Sequence, residues 1–174
     1  MDYSEEKMIL DEEVFAVIIA ITIIASVLSF TLMVFPYREE NFIALGLLNE
    51  NCKIGYYPQK INLALSKNIT LCIYIYNHMG KPVVYKVIYK IAFNQSQLPT
   101  NTTPSSNAPL ALWVGALNDS HNATFLVNIE VPDSSIALAN KRLSLVFELW
   151  ILNTSSKEWI YSGRWNHLWV EVVG

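Results

Sequence analysis

The residue types most inviting of chemistry in this chain are six asparagines. Asn68, Asn94, Asn101, Asn118, Asn122 and Asn153 each stand two positions before a Ser or Thr with no Pro between, the acceptor pattern for an N-linked glycan. There are 15 asparagines after residue 36, and the local Ser and Thr frequency would give roughly two such triplets by chance. Six is an excess, and it favours an exterior, glycosylated location. Cys52 and Cys72 are the two cysteines. In an oxidising compartment they can pair across a loop of about 20 residues, stabilising by roughly 3 kcal/mol; two separate buried thiols are the alternative. Neither belongs to a C-x-x-C pair, and two cysteines without two well-placed histidines do not make a structural zinc site.

The remaining reactive types are scattered. His78, His121 and His167 form no H-E-x-x-H or paired ligand spacing, and the chain has no G-x-S-x-G and no Gly-rich phosphate loop. Among the carboxylates, Glu130 and Glu148 are expected to decorate outward strand faces rather than to share acid/base work. His78, inside Asn77-His78-Met79-Gly80-Lys81-Pro82, is expected to brace a turn by hydrogen bonds. Trp113, Trp150, Trp159, Trp165 and Trp169 could stack on sugars, but their expected use is to pack a core or a sheet edge. No enzyme activity, cofactor or metal is expected.

Any such site has to be held by two very different elements. Val14 to Phe35 is a 22-residue run with no charge, Pro or Gly; as a helix it reaches roughly 33 Å, enough to cross a hydrocarbon core of about 30 Å. The run is too long for a secretory h-region and follows an acidic segment, so it is expected to remain attached as a signal-anchor. Within it Thr22, Ala25, Ser26 and Ser29 cluster at helical spacing, a small-residue face that lets another helix approach closely. The expected organisation is an acidic cytoplasmic tail over 1–13, the transmembrane helix over 14–35, a juxtamembrane linker over 36–42 and an extracytoplasmic β-domain over 43–174. Pro36 and the charges Arg38, Glu39 and Glu40 stop the helix, with Tyr37 at headgroup level.

Net charge is -3. The tail carries six acids against Lys7, so the rest is near neutral and offers no electrostatic case for nucleic acid. After residue 42 the hydrophobic period switches to two. Ile69, Leu71, Ile73 and Ile75 alternate with polar neighbours, as do Tyr85, Val87, Tyr89, Ile91 and Phe93 after the Gly80-Lys81-Pro82 turn, and the two runs read as a hairpin. Leu110 to Leu117, Ala123 to Val131 and Leu143 to Leu152 read as further strands, with Trp159 to Tyr161 and Leu168 to Val173 as separate final ones. The polar loop Asn94 to Pro109 is expected to be mobile and glycosylated. About seven short strands at turn spacings predict an all-β immunoglobulin-like antiparallel sandwich behind one N-terminal transmembrane α-helix.

The succession Ala44-Leu45-Gly46, Tyr57-Pro58, Leu65-x-x-Asn68-x-Thr70 and Tyr76-Asn77-His78-Met79-Gly80-Lys81-Pro82-Val83-x-Tyr85 resembles the domain-of-unknown-function family 1616 of archaeal membrane proteins. The closing segment Arg164-Trp165-Asn166-His167-Leu168-Trp169-Val170-Glu171-Val172 matches the end of the same pattern, and the likeness covers most of residues 43–174. The resemblance implies a membrane-tethered extracytoplasmic β-domain and brings no catalytic motif. The chain departs from commoner members in having one span and in its long Asn94–Pro109 loop. The reading is thus a non-catalytic accessory or interaction subunit of an archaeal cell-envelope complex, with the lipid bilayer, N-linked glycans and a membrane-protein partner as its contacts. A pilus-type filament subunit and a carbohydrate-binding surface module are the rivals.

Overall fold

The computed structural model describes residues 12–34, 41–62, 68–132 and 142–173. The acidic tail before Glu12, the helix stop at Pro36-Tyr37-Arg38 and the break expected at Asp133-Ser134-Ser135 lie outside the described residues. The chain divides into two units, Met1–Glu39 and Glu40–Gly174.

The first unit holds helix α1, Glu12–Val34. Its window Glu13–Thr31 has a mean hydropathy of 2.6 and is long and apolar enough to cross a membrane. Its apolar side chains face outward all round, with Ile21, Ile24, Leu28 and Phe30 exposed. Three of its hydroxyls bond to the preceding turn, Thr22 Oγ1 donating to Ile18 O at 2.8 Å, Ser26 Oγ to Thr22 O at 2.7 Å and Thr31 Oγ1 to Leu28 O at 2.8 Å. Internal bonding of this kind removes the cost of carrying polar groups into an apolar medium.

The second unit is mostly β-sheet. Its strands are β1 (Phe42–Leu48), β2 (Lys60–Asn62), β3 (Asn68–His78), β4 (Val83–Ala92), β5 (Ala111–Leu117), β6 (His121–Glu130), β7 (Arg142–Asn153) and β8 (Glu158–Val173). One sheet has the order β1-β3-β6 and the other β2-β8-β7-β4-β5. Ladders are antiparallel except the short β2–β8 pair, which is parallel, so the larger sheet is mixed where a wholly antiparallel one was expected. The alternating residues of both sheets meet in one core: Ile69, Leu71, Ile73 and Ile75 of β3 and Val127 and Ile129 of β6 pack with Tyr85, Val87, Tyr89 and Ile91 of β4 and Leu143, Leu145, Phe147 and Leu149 of β7. Each such side chain contributes about 1.5–3 kcal/mol by leaving water.

β3 and β4 are not the hairpin that their patterns and turn predict. They lie in different sheets, and the chain crosses between them at Met79–Pro82. Asn77 explains the crossing. Fully buried, its Nδ2 lies within hydrogen-bond distance of the carbonyls of Lys81 (2.9 Å), Leu117 (3.2 Å) and Asn118 (3.0 Å), while Oδ1 accepts the Met79 N–H at 3.1 Å. Leu117 and Asn118 begin the second crossing, from β5 to β6, so one amide satisfies carbonyls from both corners; a tight hairpin would leave that amide no such role. His78 does not brace the turn as expected. Its Nδ1 is buried without a hydrogen-bond partner among the described residues, and its ring packs on Phe42 (5.2 Å between centroids) and Tyr76 (6.1 Å).

Two further expectations are corrected. Trp159 to Tyr161 and Leu168 to Val173 are halves of the single strand β8, interrupted by a bulge in which Ser162 and Gly163 intervene between the pairs Trp150↔Tyr161 and Leu149↔Arg164. The Asn94–Pro109 segment is a packed strap instead of a free loop: Asn94 caps a 3-10 turn at Gln95–Gln97, Asn107 Nδ2 donates to Ile91 O at 2.6 Å, and the Leu110 N–H donates to Tyr89 O at 2.9 Å.

Candidate functional site

The outer face of the five-stranded sheet gathers the chemistry. Strand alternation sends Leu143, Leu145, Phe147 and Leu149 of β7 to the core, so Ser144, Val146, Glu148 and Trp150 point the other way. Cross-strand pairing places Lys86 and Lys90 of β4 and Tyr161, Trp165, His167 and Trp169 of β8 on the same side. Trp113 alone of the five tryptophans packs against the core. Trp150, Trp159, Trp165 and Trp169 belong to the outer surface, which corrects the expectation of core packing. The Trp165-x-His167-x-Trp169 alternation in the sequence already carried that signal.

The face has a buried middle and two open ends. In the middle, Lys90 is 5% exposed and Glu148 is 0% exposed, with Nζ and Oε2 3.0 Å apart. The strap closes over them: the Ser105 N–H donates to Glu148 Oε1 at 2.6 Å, Lys90 Nζ donates to Ser105 O at 2.6 Å, and Trp150 Nε1 donates to Glu148 Oε2 at 3.2 Å. Glu148 is therefore a buried, fully engaged carboxylate, not the outward decoration expected of it. An ion pair removed from water holds only when its remaining lone pairs and protons are satisfied, and here backbone and indole groups satisfy them. Tyr161 Oη donates to Thr100 O at 2.8 Å, fixing the strap's other end. Burial, and then the Glu148 charge, push the Tyr161 phenol up to about 12. Gly163 sits under this crossing with φ +73°, where a Cβ would collide with Asn101 O.

At one open end, Lys86 Nζ lies 4.5 Å from the Trp159 ring centre and 5.4 Å from that of Trp150. Burial pulls the Lys86 pKa below its ordinary value. Leu112 and Val114 of the edge strand β5 stand exposed beside Ile88 and Lys86. At the other end, Trp165 and Trp169 flank His167 at 5.3 and 6.3 Å, and the Arg142 guanidinium lies over Trp169 at 5.1 Å. Partial burial between the indoles lowers the His167 pKa from its ordinary value. This surface offers aromatic planes and two cations. Among the described residues no cluster of three or more His, Cys, Asp or Glu is placed to hold a metal ion.

The other residues singled out from sequence lie apart from this face or at its margins. Cys52 and Cys72 form a disulfide, with Cα atoms 5.2 Å apart. Asn68, Asn94, Asn101, Asn118 and Asn122 are exposed, whereas Asn153 is half-buried and its Oδ1 accepts the Ser155 N–H at 3.0 Å in the β7–β8 turn. Asn94 and Asn101 ride on the strap, Asn118 follows β5 at the turn into β6, and Asn122 is on β6. Thr22, Ala25, Ser26 and Ser29 are exposed on α1. Sequence reasoning missed Asn77, Lys90 and Glu148, because nothing local marks a polar residue as buried.

No family model and no curated protein matches this chain. Among solved structures it is similar to a β-glucosidase from Listeria innocua in complex with glucose, at 14% identity and a TM-score of 0.37 over 79% of this chain and 17% of that one. A β-glucosidase from Kluyveromyces marxianus matches at 10% identity and a TM-score of 0.32, over 76% of this chain and 15% of that one. The chain thus spans less than a fifth of these proteins' length, and likeness at this level carries no argument about fold or activity.

Proposed function

We propose that the chain is a single-span, membrane-anchored glycoprotein whose β-unit, an immunoglobulin-like sandwich with a resemblance to family 1616, stands outside the cell as a non-catalytic interaction subunit. The observation that carries this reading is the aromatic outer face of the larger sheet. Four tryptophans, a tyrosine and a histidine on a surface with two cations match the composition of recognition surfaces, in which Trp, Tyr and Arg dominate the binding energy. The apolar, self-satisfied α1 supports the tether, and the excess of acceptor triplets supports the exterior orientation.

Purification of the full chain from native membranes in mild detergent, with mass spectrometry of what accompanies it, tests the reading. A stoichiometric membrane-protein partner that dissociates when Trp159 and Lys86 are replaced by Ala is the supporting result. A solitary chain, or a polymer built through α1, overturns it. The outward placement of the tryptophans also favours a second reading, recognition of carbohydrate.

A further inference from the structure

The loop between β1 and β2 is built to hold one side chain in the open. Asn49 is its hub: buried, it accepts the N–H groups of Asn51 (2.9 Å) and Lys53 (3.0 Å) on Oδ1 and donates from Nδ2 to Gly55 O (2.8 Å). The Cys52–Cys72 disulfide bolts the loop to β3, and Tyr57 Oη donates to Leu47 O at 2.8 Å. Within this frame Cys52 and Tyr56 both hold left-handed backbone, with φ of 56° and 54°. Such conformations cost a non-glycine residue about 1 kcal/mol or more, and they persist where surrounding structure over-determines them, commonly at ligand sites. The residue so held, Tyr56, is 99% exposed.

Tyr56 and Trp169 both line a cleft of about 830 Å3, together with Tyr57 and Leu168. Gln59, Lys60, Arg142 and Glu171 supply its polar lining. Three of the polar side chains have partners, Lys60 Nζ and Glu171 Oε2 lying 3.4 Å apart and Arg142 over the Trp169 ring, and the backbone is tied where the Glu171 N–H donates to Gln59 O at 2.8 Å. The volume suits a small ligand of one or two sugar rings. The chemistry is equally selective. Aromatic planes accept the apolar C–H face of a pyranose, while planar guanidinium, carboxylate and amide groups bond paired hydroxyls at the ring's edge. A fatty chain would make no use of the four polar side chains.

We propose that the cleft lined by Tyr56 and Trp169 binds a saccharide. This rests on the carbohydrate reading of the outer face and names its site, because Trp169 and Arg142 belong to both. The test uses the full chain in lipid nanodiscs, since sugar-headed detergents would compete, titrated with di- to tetrasaccharides of glucose, mannose and N-acetylglucosamine. Saturation-transfer NMR and tryptophan fluorescence read the binding. Saturable binding of at least one of these saccharides is expected, weakened about tenfold by Tyr56→Ala and by Trp169→Ala. Tyr56→Gly relieves the backbone, so it should melt no lower than the parent chain while losing the same binding. Absence of saturable binding by all these saccharides, or binding that Tyr56→Ala leaves unchanged, overturns the proposal. Either failure leaves the membrane-partner reading to be judged by its own co-purification test.

Discussion

Along β7, Phe147 and Glu148 are neighbours in sequence, both are fully buried, and they face opposite sides of one sheet. Phe147 is buried because two sheets close on each other, and its ring packs on Tyr89 with centroids 5.4 Å apart. Glu148 is buried because a strap crosses the sheet's back, supplying a backbone N–H to the carboxylate and a carbonyl to its lysine partner. The inner face is non-directional and tolerates exchange of one apolar side chain for another of similar volume. The outer face depends on individual hydrogen bonds and fails when one partner is removed.

That contrast can be broken by measurement. Phe147→Ala and Glu148→Ala should destabilise comparably, each by about 3–5 kcal/mol, the first through a cavity and the second by stranding a buried Lys90 charge. The pair separates in the double variant: Lys90→Met with Glu148→Leu should recover most of the loss in chemical denaturation. If Glu148→Ala alone is neutral, the strap does not seal the outer face. Next in size, Asn77→Ala leaves carbonyls at both crossings without their donor and should cost about 3 kcal/mol, with faster hydrogen exchange of the Met79 N–H, which loses its acceptor Asn77 Oδ1. Gly163→Ala forces a Cβ against Asn101 O on left-handed backbone and should cost about 1–3 kcal/mol. Its distinctive readout is faster exchange of the Ser105 N–H while the inner-face amides stay protected.

The smallest effect is a pH dependence. Burial lowers the His167 pKa, so the unfolded chain takes up a proton before the folded one does. The resulting stability is present above the ordinary histidine value of about 6.5 and is lost as pH falls through the depressed folded value. Melting temperature should therefore decline below about pH 6.5, and His167→Gln should flatten that slope. A slope unchanged by the substitution would assign it to other groups.

The inner face was legible in the sequence because period-two alternation reports burial on one side of a strand. Leu71, Ile73, Val87, Tyr89, Val127 and Leu145 all sit where that alternation puts them. The apolar run that became α1 was equally plain. The outer face was not legible, since Lys90 and Glu148 occupy the alternate positions that ordinarily meet solvent, and only the strap at Ser105, 15 residues from Lys90 and 43 from Glu148, removes them from it. Pairing failed for a related reason. Turn residues at Gly80-Lys81-Pro82 mark a reversal of the chain, but whether it returns in its own sheet or crosses to the other depends on what Asn77 meets from β5, a contact no local pattern encodes. The Cys52–Cys72 pair was within reach because only two cysteines exist, whereas the loop it braces, with an exposed Tyr56 on left-handed backbone, was visible only in three dimensions.

The most direct measurement on the central claim, an exterior recognition unit on a single span, is protease shaving of intact cells combined with mass spectrometry of the chain. The account predicts that fragments from residues 41–173 are released from whole cells, carrying glycans on some of Asn68, Asn94, Asn101, Asn118, Asn122 and Asn153, while α1 stays with the membrane. Fragments released only after lysis, with every one of those asparagines unmodified, would contradict it.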